Sequence, residues 1–122
     1  PAMIRSAAEL NARWQAALAA EKQGDFRSAE TSYRAILQVA PKHPAALRRL
    51  AGIGRLYGDQ EAARALLERA VKADANYGPA KLDLADMLQS AGEIDRAAGL
   101  YAEASHLALA PHLSLAITQL AS

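Results

Sequence analysis

No cysteine occurs in the 122 residues, so neither a disulfide frame nor a thiolate metal site can form. Aromatic residues make up only 5% of the chain, with a single tryptophan and a single phenylalanine. That scarcity leaves little on which bases could stack, and a net charge of +1 supplies no general phosphate-binding surface, so nucleic acid is not an expected partner. Apolar runs are short and broken by charge, so no membrane insertion is expected. The start lacks the basic flank and apolar stretch of a signal peptide, and cytoplasm is the favoured compartment. Pro1-Ala2-Met3 reads as a cloning scar, which makes the chain an expected piece of a longer protein.

What is abundant is alanine, about a quarter of the residues and the best helix former. Arginine far outnumbers lysine, as in proteins from GC-rich bacterial genomes. The chain is organised by a step of 34 residues: Gly24, Gly58 and Gly92; Ala29, Ala63 and Ala97; Tyr33, Leu67 and Tyr101. A fixed period of that length is the mark of a repeat architecture.

Within each period two helical stripes are separated by a glycine. Residues 4–22 place Ile4, Ala7, Ala8, Leu10, Trp14, Ala17 and Leu18 at helical spacing. Gly24 ends that helix, Asp25 caps the next, and Ala29, Tyr33, Ile36 and Leu37 follow to about Val39. Pro41 and Pro44 exclude a continuous helix beyond it. The cycle recurs through Gly58-Asp59, through the turn formers Asn76-Tyr77-Gly78-Pro79, and through Gly92-Glu93. After Pro111 a last stripe of Leu113, Ala116, Ile117 and Leu120 reads as a seventh helix, either a cap or the start of a further repeat. No stretch alternates as a strand does, so the fold class is all-α.

The spacing resembles the tetratricopeptide repeat, with its large–small pair in the first helix, Ala-x3-aromatic in the second and closing proline. Repeats fall at 10–43, 44–77 and 78–111, with a cap helix at 112–121, in a single domain. Ala29 with Tyr33 and Ala97 with Tyr101 match the second-helix pattern; Leu50-Ala51 and Leu84-Ala85 match the pair in the first. Departures include Ala16-Ala17 at the first pair, Trp14 displaced by one, Gly54 in place of an aromatic, Ala75 for a proline and a late Pro111. The resemblance implies a right-handed α-solenoid that binds a protein or peptide in a concave groove lined by the first helix of each repeat.

Carried over position by position, the groove residues are Asn11, Trp14, Leu18 and Glu21, then Arg48, Arg49, Gly52 and Arg55, then Leu82, Asp83, Asp86 and Gln89. Arg48, Gly52 and Arg55 share one helix face, and two guanidinium groups around a bare glycine suit a carboxylate or phosphate. With Trp14 and Leu18 as an apolar wall, the expected partner is an acidic or C-terminal peptide segment with one apolar anchor. Alternatively, Arg48 and Arg55 pair with Asp83, Asp86 or Glu21, and Gly52 and Gly54 only let helices approach. The chaperone-tail clamp that this family can carry is missing, because its positions hold Trp14, Leu18, Gly52, Pro79 and Asp83.

Charge is uneven: five Lys/Arg against three Asp/Glu over 10–43, six against four over 44–77, and two against five over 78–111. Such polarity is either ordinary variation or a basis for stacking on a partner. Homo-oligomerisation, or packing against an attached catalytic domain, is the alternative function, with Leu115 on the last helix as the residue exposed for it. Catalysis, metal and cofactor are not expected. His43, His106 and His112 lack metal-ligand spacing and read as solvated turn residues. Ser28, Thr31 and Ser32 have no base at a recognisable distance, and Gly52-x-Gly54-x3-Gly58 lies inside a helix rather than after a strand.

Overall fold

The computed structural model describes the backbone of residues 4–121 and the side chains of residues 4–107. Among these residues the regular elements are six helices: α1 (Ala7–Lys22), α2 (Phe26–Val39), α3 (Pro44–Leu56), α4 (Gln60–Ala73), α5 (Gly78–Ser90) and α6 (Ile94–Ala121). They pack as antiparallel pairs, α1 on α2, α3 on α4 and α5 on α6, and each pair stacks on the next through α2–α3, α4–α5 and α3–α5 contacts.

The corner within each pair is the same turn built three times. Gly24, Gly58 and Gly92 stand at φ +81, +82 and +86°, a conformation glycine alone adopts cheaply. The following N–H closes the turn on the carbonyl five residues back: Asp25 on Ala20, Asp59 on Gly54 and Glu93 on Leu88, each at 2.8 Å. Asp25 and Asp59 then turn their side chains to cap α2 and α4, accepting from the Ser28 and Ala62 amides at 3.2 Å. One residue thus ends one helix and begins the next.

Two of the expected boundaries shift by a turn or less. α1 begins at Ala7 behind an N-cap at Ser6, while Ile4 lies ahead of the helix and still packs on the core. Gly78 and Pro79 belong to the first turn of α5 rather than to the connection before it, since proline's missing N–H has no partner to lose there.

The larger correction concerns the seventh helix. α6 runs on through Pro111 to Ala121, so the described residues form six helices and not seven. In the first two repeats the second helix is ended by extended residues, Ala40 at φ −133° ahead of Pro41 and Asp74 at φ −147°. Asp74 also accepts from the Asn76 amide at 2.9 Å, fixing the turn. Ala110-Pro111 repeats the dipeptide Ala40-Pro41 that follows α2, yet here the helix continues across it. The stripe from Leu113 to Leu120, the exposure of Leu115 and the nature of residues 1–3 lie outside the described residues.

The core belongs to the junctions. Ala17, Ala29, Tyr33 and Ile36 of the first pair close on Ala46, Leu50 and Ile53 of the second. Ala51, Ala63 and Leu67 of the second pair close on Leu84, Ala85, Met87, Leu88, Ala97 and Leu100 of the third. Leu47, Ala70 and Ala80 form a smaller contact layer between these last two pairs. Burying one leucine stabilises the fold by about 1.5–3 kcal/mol, so a single pair deprived of its neighbour forfeits several such contributions. Stacking is what makes the helices stable.

Candidate functional site

The residues expected to line a groove lie on the leading helices α1, α3 and α5, and of these Trp14 also packs on the first junction. Asn11, Arg49, Gly52, Arg55, Leu82, Asp86 and Gln89 are exposed, and Trp14, Leu18, Glu21, Arg48 and Asp83 are half-buried. The 34-residue step aligns them in rows: Trp14, Arg48, Leu82; Leu18, Gly52, Asp86; Glu21, Arg55, Gln89.

Polar contacts along this face cross from repeat to repeat. Arg48 on α3 donates through Nε to Asp83 on α5 at 2.7 Å, and Arg49 donates to Glu21 on α1 at 3.0 Å. Burial pulls the Arg48 guanidinium down, and the bond and charge of Asp83 outweigh it and hold the group above its usual value. Of the two arginines expected to flank a notch, Arg48 is therefore occupied, as the alternative reading anticipated. Arg55 is exposed and has no hydrogen-bond or ion-pair partner among the described residues. Gly52 is not a packing device: no atom lies within 4 Å of where a Cβ would stand. Gly54 differs, because a Cβ there would touch the Asp59 carbonyl and Ala63 at 3.6–3.7 Å, where α3 meets α4.

Two tyrosines of the trailing helices reach through to the same face. Tyr33, fully buried, donates its hydroxyl to Glu21 at 2.8 Å, and Tyr101 donates to Asp86, with Gln89 Oε1 3.0 Å from the same hydroxyl oxygen. Their role was open to sequence reasoning only through a comparison of rows, since the partner stands twelve residues earlier each time. Sequence reasoning also missed His43. Rather than a solvated turn residue it is the N-cap of α3, its Nδ1 accepting from the Ala46 amide at 3.1 Å. Its ring lies 5.3 Å from that of Trp14, which meets Tyr33 edge-on at 5.7 Å. Ala7, Leu10, Asn11, Trp14 and His43 together line a shallow, open hollow at the α1 end of the face.

Among the described residues no group of three or more His, Cys, Asp or Glu is placed to hold a metal ion. Among the described residues no helix is long and apolar enough to cross a membrane.

A family model for the tetratricopeptide repeat matches residues 15–79, more than half the chain. The chain belongs to the tetratricopeptide-repeat family. Tetratricopeptide repeats are generally non-catalytic scaffolds for protein interaction, and the helix pairs described above are their units. A mutant of the O-GlcNAc transferase of Thermobaculum terrenum is 28% identical over 87% of this chain, with a TM-score of 0.76. The chain spans only 20% of that transferase. The crystal structure of MamA protein is 17% identical over 80% of this chain and 72% of its own, with a TM-score of 0.46. A search of curated protein sequences returns no match.

Proposed function

We propose that this tetratricopeptide array binds an extended protein segment along the face of α1, α3 and α5, as a module of a larger protein. The favoured ligand is an acidic or C-terminal peptide with one apolar anchor. The observation that carries this reading is the uncovered strip itself. Leu82 is 44% exposed on it, Gly52 leaves backbone open beside it, and the hollow at Trp14 gives an apolar side chain a place to rest. The cross-repeat ion pairs hold α1, α3 and α5 in register, so the strip is presented preformed and little ordering cost falls on the protein when a ligand arrives.

The test is selection of peptides from a random display library on the full chain, followed by fluorescence anisotropy with the selected sequence. The Trp14→Ala and Arg48→Ala/Arg55→Ala variants are expected to weaken binding at least tenfold. Unchanged affinity in both sinks the proposal.

A second reading, self-association or docking against an attached domain, draws on a different patch. Leu56, Tyr57 and Ile94 flank the glycine corners and are 60%, 65% and 56% exposed. Sedimentation velocity at two concentrations separates the readings, since a concentration-independent monomer favours the peptide-binding one.

A further inference from the structure

We infer that Arg55, set beside the open backbone of Gly52, is the anion-binding group of this face, and that Arg48 instead joins the second repeat to the third. The inference rests on the peptide-binding reading above and assigns its charged subsite.

Comparison of the rows carries it. Glu21, Arg55 and Gln89 occupy equivalent positions in successive repeats, and so do Tyr33, Leu67 and Tyr101. In the first repeat the tyrosine hydroxyl donates to Glu21; in the third the Tyr101 hydroxyl, which donates to Asp86, lies 3.0 Å from Gln89 Oε1. In the second repeat the buried Leu67 has no hydroxyl, and Arg55 is left untethered. None of the carboxylates described on this face bonds it: Glu21 accepts from Tyr33 and Arg49, Asp83 from Arg48, and Asp86 from Tyr101.

Gly52 adds the second observation. It lies one helical turn before Arg55 on the same face, where an added Cβ would meet nothing within 4 Å. Glycine is a poor residue for a helix interior, and packing gives no reason for it here. What the missing side chain leaves is room for a ligand group next to the guanidinium. A planar guanidinium grips a carboxylate or a phosphate through two parallel hydrogen bonds, and either anion suits this geometry.

The experiment is an NMR titration of the full chain that follows the Arg55 Nε–H and Gly52 amide signals. Three probes are used: N-acetyl-Leu-Ala-Ala with a free C-terminus, the same peptide as its C-terminal amide, and N-acetyl-phosphoserine amide. Saturable shifts are expected with one or both anions and not with the neutral amide; whichever anion acts identifies the source as carboxylate or phosphate. Arg55→Gln is expected to lower the affinity at least tenfold, while Arg48→Gln changes it less than twofold and lowers the melting temperature instead. The absence of saturable shifts at Arg55, or an equal loss in Arg48→Gln, overturns the assignment. Shifts confined to Trp14 and Leu18 also overturn it, while leaving the peptide-binding reading standing.

Discussion

The hydroxyl of Tyr33 donates to the carboxylate of Glu21 at 2.8 Å, tying the buried interior of α2 to the outer face of α1. Glu21 in turn accepts from Arg49 on α3, so a single carboxylate links two repeats and the core beneath them. Burial raises the Tyr33 hydroxyl far above the ordinary tyrosine value of 10.0, and the bond to Glu21 adds to that shift. Tyr33→Phe is expected to destabilise the protein by roughly 1.5 kcal/mol in urea unfolding, the loss of one hydrogen bond to a charged group. The pH dependence follows from the sign of the shift. The folded state keeps the proton longer than the unfolded state does, so the stabilisation is full below about pH 10 and falls as pH rises above it. Melting temperatures measured from pH 8 to 11 are expected to fall more steeply in the wild type than in Tyr33→Phe.

His43 caps α3 with a ring nitrogen and packs on Trp14 with the rest of its ring. His43→Ala is expected to cost about 1 kcal/mol, the usual value of a helix cap, and to shift the emission of the single tryptophan. His43→Asp restores a capping oxygen without the ring. Its stability is expected to exceed that of His43→Ala while the altered emission remains, which separates the two roles.

Glycines 52 and 58, six residues apart, are expected to respond oppositely to alanine. At Gly58, with φ +82°, a Cβ strains the backbone, and the loss is about 1–2 kcal/mol. At Gly52 the helix gains up to roughly 1 kcal/mol, because nothing opposes the added methyl group. Thermal unfolding of the two variants checks the pair. A destabilised Gly52→Ala would contradict the open space described there.

Lys81 stands at the position that Leu47 holds one repeat earlier, and it is only 8% exposed, its Nζ 3.2 Å from Glu103. Removing the partner leaves a nearly buried ammonium, so Glu103→Ala is expected to cost about 1 kcal/mol despite the exposure of Glu103 itself. Lys81→Leu restores the apolar residue of the second repeat, and its melting temperature is expected to match or exceed the wild type.

Arg48 and Asp83 are both partly shielded from solvent, unlike the exposed Arg34–Glu30 pair within α2. A double-mutant cycle on Arg48 and Asp83 is expected to give a coupling of about 1 kcal/mol, and one on Arg34 and Glu30 about 0.3 kcal/mol. Equal couplings would remove the argument that Arg48 holds two repeats together.

The all-α repeat, its register and its glycine corners were legible in the sequence alone. They depend on local chemistry: the left-handed preference of Gly24, Gly58 and Gly92, the capping oxygens of Asp25 and Asp59, and stripes at helical spacing. Such features act over a few residues, and the 34-residue period repeats them until the pattern is unmistakable. The path of the chain at Pro111 was not legible, because the same Ala-Pro dipeptide follows the end of α2 at Ala40-Pro41 and lies inside α6 at Ala110-Pro111. Nor could the sequence say which arginine of α3 is engaged. Arg48, Arg49 and Arg55 are chemically identical, and what separates them is distance across the stack: Asp83 and Glu21 lie within reach of the first two, and Leu67 puts no hydroxyl beneath the third. Those distances exist only once the helix pairs have stacked.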